Sequence, residues 1–144
     1  MSEVLILIDI QNDFITGSLP VPDGQSIISP VNHLISQFNH IIATQDWHPE
    51  NHFSFFTQHK DKKAFETVTK DDYIQTLWPP HCVQGSSGAD FSPELHTNTV
   101  AAIFRKGMDP NIDSYSAFFD NQKLKDTGLN GYLKGLNIKE LHFA

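Results

Sequence analysis

The run Val4-Leu5-Ile6-Leu7-Ile8-Asp9 decides the fold. Five consecutive apolar residues, β-branched in part, read as a strand covered on both faces, because successive side chains point to opposite sides of a sheet. Strands of that kind belong to parallel sheets packed between helices. Asp9 ends the run. Residues 11–24 read as a loop, with Gly17, Pro20, Pro22 and Gly24 as breakers. Residues 26–38 set Ile27, Ile28, Val31, Leu34, Ile35 and Phe38 at helical spacing, and Pro30 puts the start of the regular helix near Ser29 or Pro30. Ile41-Ile42-Ala43-Thr44 is a second strand. This strand–helix–strand unit favours a parallel, right-handed connection.

Residues 46–98 are the least regular part. Residues 60–70 are charged and weakly periodic and read as a surface insertion. Trp78-Pro79-Pro80-His81-Cys82-Val83-Gln84-Gly85 is a rigid loop, since two prolines fix φ and deny a helix. Val100-Ala101-Ala102-Ile103-Phe104 is a third strand that runs out at Arg105-Lys106-Gly107. Residues 129–136 form a short helix despite Gly131 and Gly135, and residues 140–144 begin a fourth strand. The alternation indicates an α/β fold of three layers, α-β-α, with a mostly parallel sheet in one domain over residues 1–144. A chain that stops in a strand is expected to lack that strand's covering helix. On this reading the fold is C-terminally incomplete and poorly stable alone.

Composition narrows the class. The 144 residues are enough for one domain with its own core, and 39% hydrophobic content with eleven Phe suits a globular protein. Ten Lys and Arg against seventeen Asp and Glu give a net charge of −7. No basic patch is present, so nucleic acid is not an expected partner. One cysteine, Cys82, excludes an internal disulfide framework and fits a reducing compartment. No apolar stretch has membrane-spanning length, and no basic flank precedes the first strand. The expected location is the cytoplasm, with no membrane partner.

In open α/β sheets, sites form at the carboxyl ends of strands. That rule gathers Asp9, Asp46 with His48, and Lys106. For any single strand end the plainer reading is a structural ion pair, but three such ends point together. A carboxylate beside a lysine can act as a general base, and such a pair usually activates a nucleophile from another element. Asp46-Trp47-His48-Pro49-Glu50-Asn51-His52 packs one carboxylate and two imidazoles into seven residues. Pro49 and Asn51 favour a turn that folds His52 back toward the other two. A third imidazole, His81, sits in the proline loop. One Asp with two or three His suits Zn²⁺, Fe²⁺ or Mn²⁺. Spacing alone does not separate that from a solvated loop that happens to hold histidines.

Five segments in order carry a resemblance. Leu7-Ile8-Asp9-Ile10-Gln11-Asn12-Asp13-Phe14 resembles the N-terminal signature of the nicotinamidase/pyrazinamidase family, within the isochorismatase-like hydrolases. Asp46 to Ser54 is similar to that family's metal loop, and Trp78 to Gly85, followed by Gly88-Ala89-Asp90-Phe91, to its second metal segment. Phe104-Arg105-Lys106-Gly107 resembles the lysine strand, and Asp113-Ser114-Tyr115-Ser116-Ala117-Phe118 a pocket loop. The resemblance implies an isochorismatase-like fold and a Cys-Asp-Lys hydrolysis of nicotinamide, and also of pyrazinamide. Asp9 would be the base and Lys106 its cation. A divalent metal on Asp46, His48 and His81, with His52 a further ligand in some relatives, would bind the pyridine nitrogen. Phe14, Trp78 and Tyr115 would line the substrate. The expected partner is this small molecule, and a homo-oligomer is left open.

One departure matters. The family's nucleophilic cysteine follows the strand that begins near Leu141, in a Gly-x-Ala-Thr-Asp-x-Cys segment these 144 residues do not contain. Cys82 matches the cysteine beside the metal histidine, and on an extended segment it would point away from it. The chain is therefore expected to be inactive by itself. The competing readings are a non-catalytic metal- or ligand-binding remnant and a metal-free amide hydrolase of the same superfamily.

Overall fold

In a computed structural model, which describes residues 2–144, the central sheet has four strands, all parallel, in the order β5-β2-β1-β6. These are β1 (Glu3–Leu7), β2 (Ile41–Asp46), β5 (Val100–Lys106) and β6 (Glu140–Phe143). Val4, Leu5, Ile6 and Leu7 are all buried to within 1%. Alternation sends Leu5 and Leu7 into a cluster with Ile28, Val31 and Ile35 of α2 (Ile28–Ile35). Val4 and Ile6 go into another with Leu129 and Leu133 of α3 (Leu129–Gly135). Each such side chain contributes about 1.5–3 kcal/mol of hydrophobic stabilisation. The continuous apolar run is thus what makes three layers necessary.

Three local expectations are corrected. The stretch 11–24 is not all loop: Asn12–Ile15 forms one helical turn, α1. The helical periodicity from residue 26 divides into a 3₁₀ segment, Gly24–Ile27, and then α2, where Pro30 sits in the first turn and gives up no intrahelical bond. The supposed irregular insertion ends in an antiparallel hairpin of β3 (Thr67–Lys70) and β4 (Tyr73–Thr76). Its two-residue turn is Asp71-Asp72, with Asp71 at φ 50°. Such a turn needs positive φ, which Asp tolerates better than most residues.

The register of β5 on β2 shifts once. Ile41 pairs with Val100 but Ile42 pairs with Ala102, so Ala101 is an extra residue. Beyond it the strands run in step to Gln45 opposite Arg105 and Asp46 opposite Lys106. On β6, Leu141 and Phe143 are 36% and 59% exposed. No helix among the described residues is long and apolar enough to cross a membrane.

Candidate functional site

Three strand ends converge. The Lys106 ammonium is buried and donates to Asp46 Oδ1 at 2.5 Å, Asp9 Oδ2 at 2.9 Å and the Ser114 carbonyl at 3.2 Å. All three of its protons are thereby used. Burial works against its charge, but the carboxylates of Asp46 and Asp9 outweigh burial and hold its pKa above the ordinary lysine value. Burial also pushes the Asp9 carboxyl up, against the downward pull of Lys106, and Asp46 adds to the rise. Asp9 itself stands at φ 49°, turned out of the strand at its end. Thr44, two residues before Asp46 on the same face of β2, fixes it. The Thr44 hydroxyl donates to Asp9 Oδ1 at 2.7 Å and accepts the Asp9 N–H at 3.1 Å. Thr44 was not among the residues expected at the site. The period of two along β2 was the available signal.

The other oxygen of Asp46 faces two imidazoles, with His48 Nε2 at 3.4 Å and His81 Nε2 at 3.6 Å. The far nitrogen of each ring is tied to a carbonyl: His48 Nδ1 donates to Gly107 O at 2.9 Å and His81 Nδ1 to Pro79 O at 2.7 Å. In neutral imidazoles those bonds leave both Nε2 lone pairs aimed toward one carboxylate oxygen. Three mutually close acceptors need either a proton or a cation between them, and outer hydrogen bonds of this kind are how metal-binding imidazoles are oriented. Asp46, His48 and His81 therefore fit a divalent ion that takes nitrogen and oxygen donors. Burial works against Asp46 as a carboxylate; in the metal-free chain His48 and His81, when their Nε2 atoms carry protons to donate, and Lys106 hold its pKa well below the usual range. Gly107 makes room for this arrangement. A Cβ there would lie 2.4 Å from His48 Cε1, and its φ of 68° suits glycine.

His52 does not join this group. Its N–H donates to Pro49 O, and its Nδ1 meets the Ser54 hydroxyl at 2.7 Å. The turn was anticipated, but these bonds set the ring beside His48 and Asp113, where its Nε2 is buried without a partner. Burial and then His48 hold its pKa down to about 4. Asp113 is itself buried and accepts from Gln75 Nε2 at 3.0 Å, so β4 of the unexpected hairpin reaches the site.

Among the expected wall residues, Phe14 packs on His81 with ring centroids 5.5 Å apart. Phe14 and Asp9 line an apolar cavity of about 270 Å³. Trp78 meets Tyr115 edge-on at 6.4 Å, and Tyr115 shares a cavity of about 210 Å³ with Lys106 and Thr44. Cys82 is fully buried, and burial, followed by Asp46, Asp13 and Asp9, pushes its thiol above the ordinary range. Its φ is 46°, so its orientation does not come from alternation along an extended segment as the sequence suggested.

The chain resembles characterised proteins over almost all of its length. It is 46% identical to a nicotinamidase of Escherichia coli over 142 residues, covering 95% of this chain and 66% of the relative. The chain thus spans just under two thirds of that relative's length. The structure of an Acinetobacter baumanii nicotinamidase/pyrazinamidase superposes with a TM-score of 0.96 at 43% identity, covering 99% of this chain and 70% of that one. A Pyrococcus horikoshii pyrazinamidase in complex with zinc superposes at 0.76 and 35% identity, over all of this chain and 70% of that one. The isochorismatase domain family matches residues 3–144, from the first residue of β1 to the end of β6 and across every strand end described above, and the chain belongs to that family.

Proposed function

We propose that residues 1–144 act as one domain carrying the base, the cation and the metal site of a nicotinamidase. The reaction is nicotinamide plus water to nicotinate plus ammonia, with pyrazinamide as a second substrate. The observation that carries this reading is the single ammonium of Lys106 shared by Asp9 and Asp46. It joins a base to a metal ligand in one buried contact, which a surface ion pair would not require. The nicotinamidases among the relatives support the substrate.

In this mechanism Asp9 accepts the proton of a cysteine thiol, and Lys106 stabilises the carboxylate before transfer and the charge that develops after it. The thiolate attacks the carboxamide carbon. Asp9 returns the proton to the leaving nitrogen, ammonia departs, and a thioester remains. Water deprotonated by Asp9 then releases nicotinate and the free thiol. Thr44 keeps Asp9 Oδ1 occupied, so that Oδ2 and the Lys106 contact define the reacting side. Phe14, Trp78 and Tyr115 offer aromatic faces to a flat ring. A zinc, iron or manganese ion held by Asp46, His48 and His81 would supply a Lewis-acid anchor for the pyridine nitrogen. His52 stands behind His48 rather than among these three. Cys82 is not the nucleophile, because a buried thiol with a raised pKa yields little thiolate. The 144-residue chain by itself is therefore inactive.

The test is a fusion of this chain, in frame, to the remaining C-terminal segment of the Escherichia coli nicotinamidase. Ammonia release from nicotinamide should appear, and should fall by about 10³-fold or more in Asp9→Asn and Lys106→Met. Ammonia release by the unfused chain that disappears in Cys82→Ala would overturn the assignment of the nucleophile. A fusion equally active without Asp9 would overturn the assignment of the base.

A further inference from the structure

Gln11, Asn12 and Asp13 lie in the signature that contains Asp9, yet neither the base nor the metal ligands account for them. We infer that this turn is the jig on which the two metal-binding segments are set, with Gln11 and Asp13 as positioning residues for Asp46 and His81. The inference rests on reading Asp46, His48 and His81 as metal ligands.

Gln11 is fully buried. Its Oε1 accepts the Asp46 N–H at 2.8 Å, and its Nε2 donates to Asp46 O and to Ala89 O, each at 2.8 Å. The side-chain amide thus satisfies both backbone groups of Asp46, as a neighbouring strand would. It does so where β2 ends and its ligand side chain begins. Any change at Gln11 leaves buried backbone groups unpaired on the residue that must be held still.

Asp13 does the same for the second segment. Its Oδ2 accepts the Cys82 N–H at 2.7 Å and its Oδ1 the Ser18 N–H at 3.1 Å. The Ser18 hydroxyl donates to Pro80 O at 2.7 Å. Both chain neighbours of His81 are therefore gripped by residues 13–18. The grip on Cys82 holds a residue at φ 46°, a conformation that a non-glycine residue keeps only when its surroundings enforce it. Close packing fixes the Asp13 carboxylate in turn. A Cβ on Gly17 would lie 2.2 Å from Oδ1, and one on Gly88 2.2 Å from Oδ2. Asn12 Nδ2 donates to Ser87 O at 2.8 Å and ties down the same loop. The two segments also meet directly, His48 N–H to Cys82 O at 3.0 Å, so the turn braces from behind a pair already in register.

The test uses the metal-free 144-residue chain, zinc, and a competing chromogenic chelator, with melting of each metal-free variant recorded alongside. Gln11→Glu and Asp13→Asn should each weaken zinc binding on the order of 10–100-fold while the metal-free protein still unfolds cooperatively. Asn32→Ala removes a comparable side-chain clamp far from the site, on Glu94 O and His96 N–H, and should keep native affinity whatever it does to melting. Should Gln11→Glu fail to fold, Asp13→Asn and Ser18→Ala carry the test, since both leave the end of β2 intact. Zinc affinities within about twofold of native in these variants overturn the inference. Equal binding by native and His81→Ala chains shows instead that the ligand set is wrong, and the inference falls with it.

Discussion

Replacing Lys106 by Met removes the cation between the buried carboxylate of Asp46 and the partly buried one of Asp9. Asp9 Oδ2 and Asp46 Oδ1 both bond to the same nitrogen, so they lie about 5 Å apart or less. At that separation and an effective dielectric of about 20, their repulsion is about 3 kcal/mol. The alternative is to protonate one of them. At pH 7, for a carboxyl with an ordinary pKa near 4, that costs about 4 kcal/mol. The two costs are similar, so the variant should be destabilised by about 3–5 kcal/mol at neutral pH, as broken buried ion pairs usually are. The pH dependence gives the sharper test. Burial already raises Asp9, and Lys106 opposes that rise. Without the lysine, Asp9 rises further above its unfolded value, so the folded variant holds a proton that the unfolded chain lacks. Relative stability is then regained as the pH falls from about 8 toward 5. Urea unfolding of the metal-free native chain, Lys106→Met and Lys106→Met/Asp9→Asn across that range measures it. The double variant should be more stable than the single one at pH 8, and the gap should close on acidification. A deficit that stays the same at every pH, or one below about 1 kcal/mol, would refute the shared-cation reading.

His81→Ala should lose bound metal on elemental analysis while His33→Ala and His40→Ala retain it. Equal content in all three would count against the ligand set. His52, held down to about 4, stays neutral in the folded chain while an unfolded histidine takes up a proton below about pH 6.5. Stability should therefore be lost on acidification from about 6.5 to 4, by on the order of 3 kcal/mol at most, and His52→Gln should flatten that part of the metal-free stability curve. Gly107→Ala forces a Cβ against the His48 ring and a side chain into positive φ, so it should cost about 1–3 kcal/mol and reduce metal content. A variant with native melting and native metal content would contradict the cradle.

What was legible in the sequence and what was not divides by the range of the forces involved. β1 was legible because its reading needs only four neighbours, Val4 to Leu7, all apolar and all buried, although Ile8 at the end of the run is exposed. Asp9, Asp46 and Lys106 followed from it, since residues at the carboxyl ends of parallel strands share one end of the sheet. The β3–β4 hairpin was hidden by its composition. Thr67-Val68-Thr69-Lys70 alternates exposed and half-buried residues and is mostly polar, and only Gln75 of the hairpin is buried. His52 was correctly put in a turn, but chain spacing does not say which side of a turn a ring leaves from, and Ser54 decides that. The grip of Gln11 on Asp46 crosses thirty-five positions of chain. No local pattern records a side chain pairing with a distant backbone.

The extra residue in β5 reaches well beyond its own bend. Were Ala101 paired within the ladder instead of bulged out of it, the register that begins with Ile41 opposite Val100 would continue unbroken and bring Arg105, not Lys106, opposite Asp46. Because strand side chains alternate, the same slip would turn Lys106 to the face where Arg105 now covers the Trp47 ring at 3.8 Å. Asp9 and Asp46 would then face each other without their ammonium, and a buried lysine would be sent toward solvent. A sheet assembled in the wrong parity is thereby penalised at its far end by several kcal/mol of unpaired charge. The chemistry of the site doubles as a proofreading step for folding, since only the register that builds the base also neutralises it.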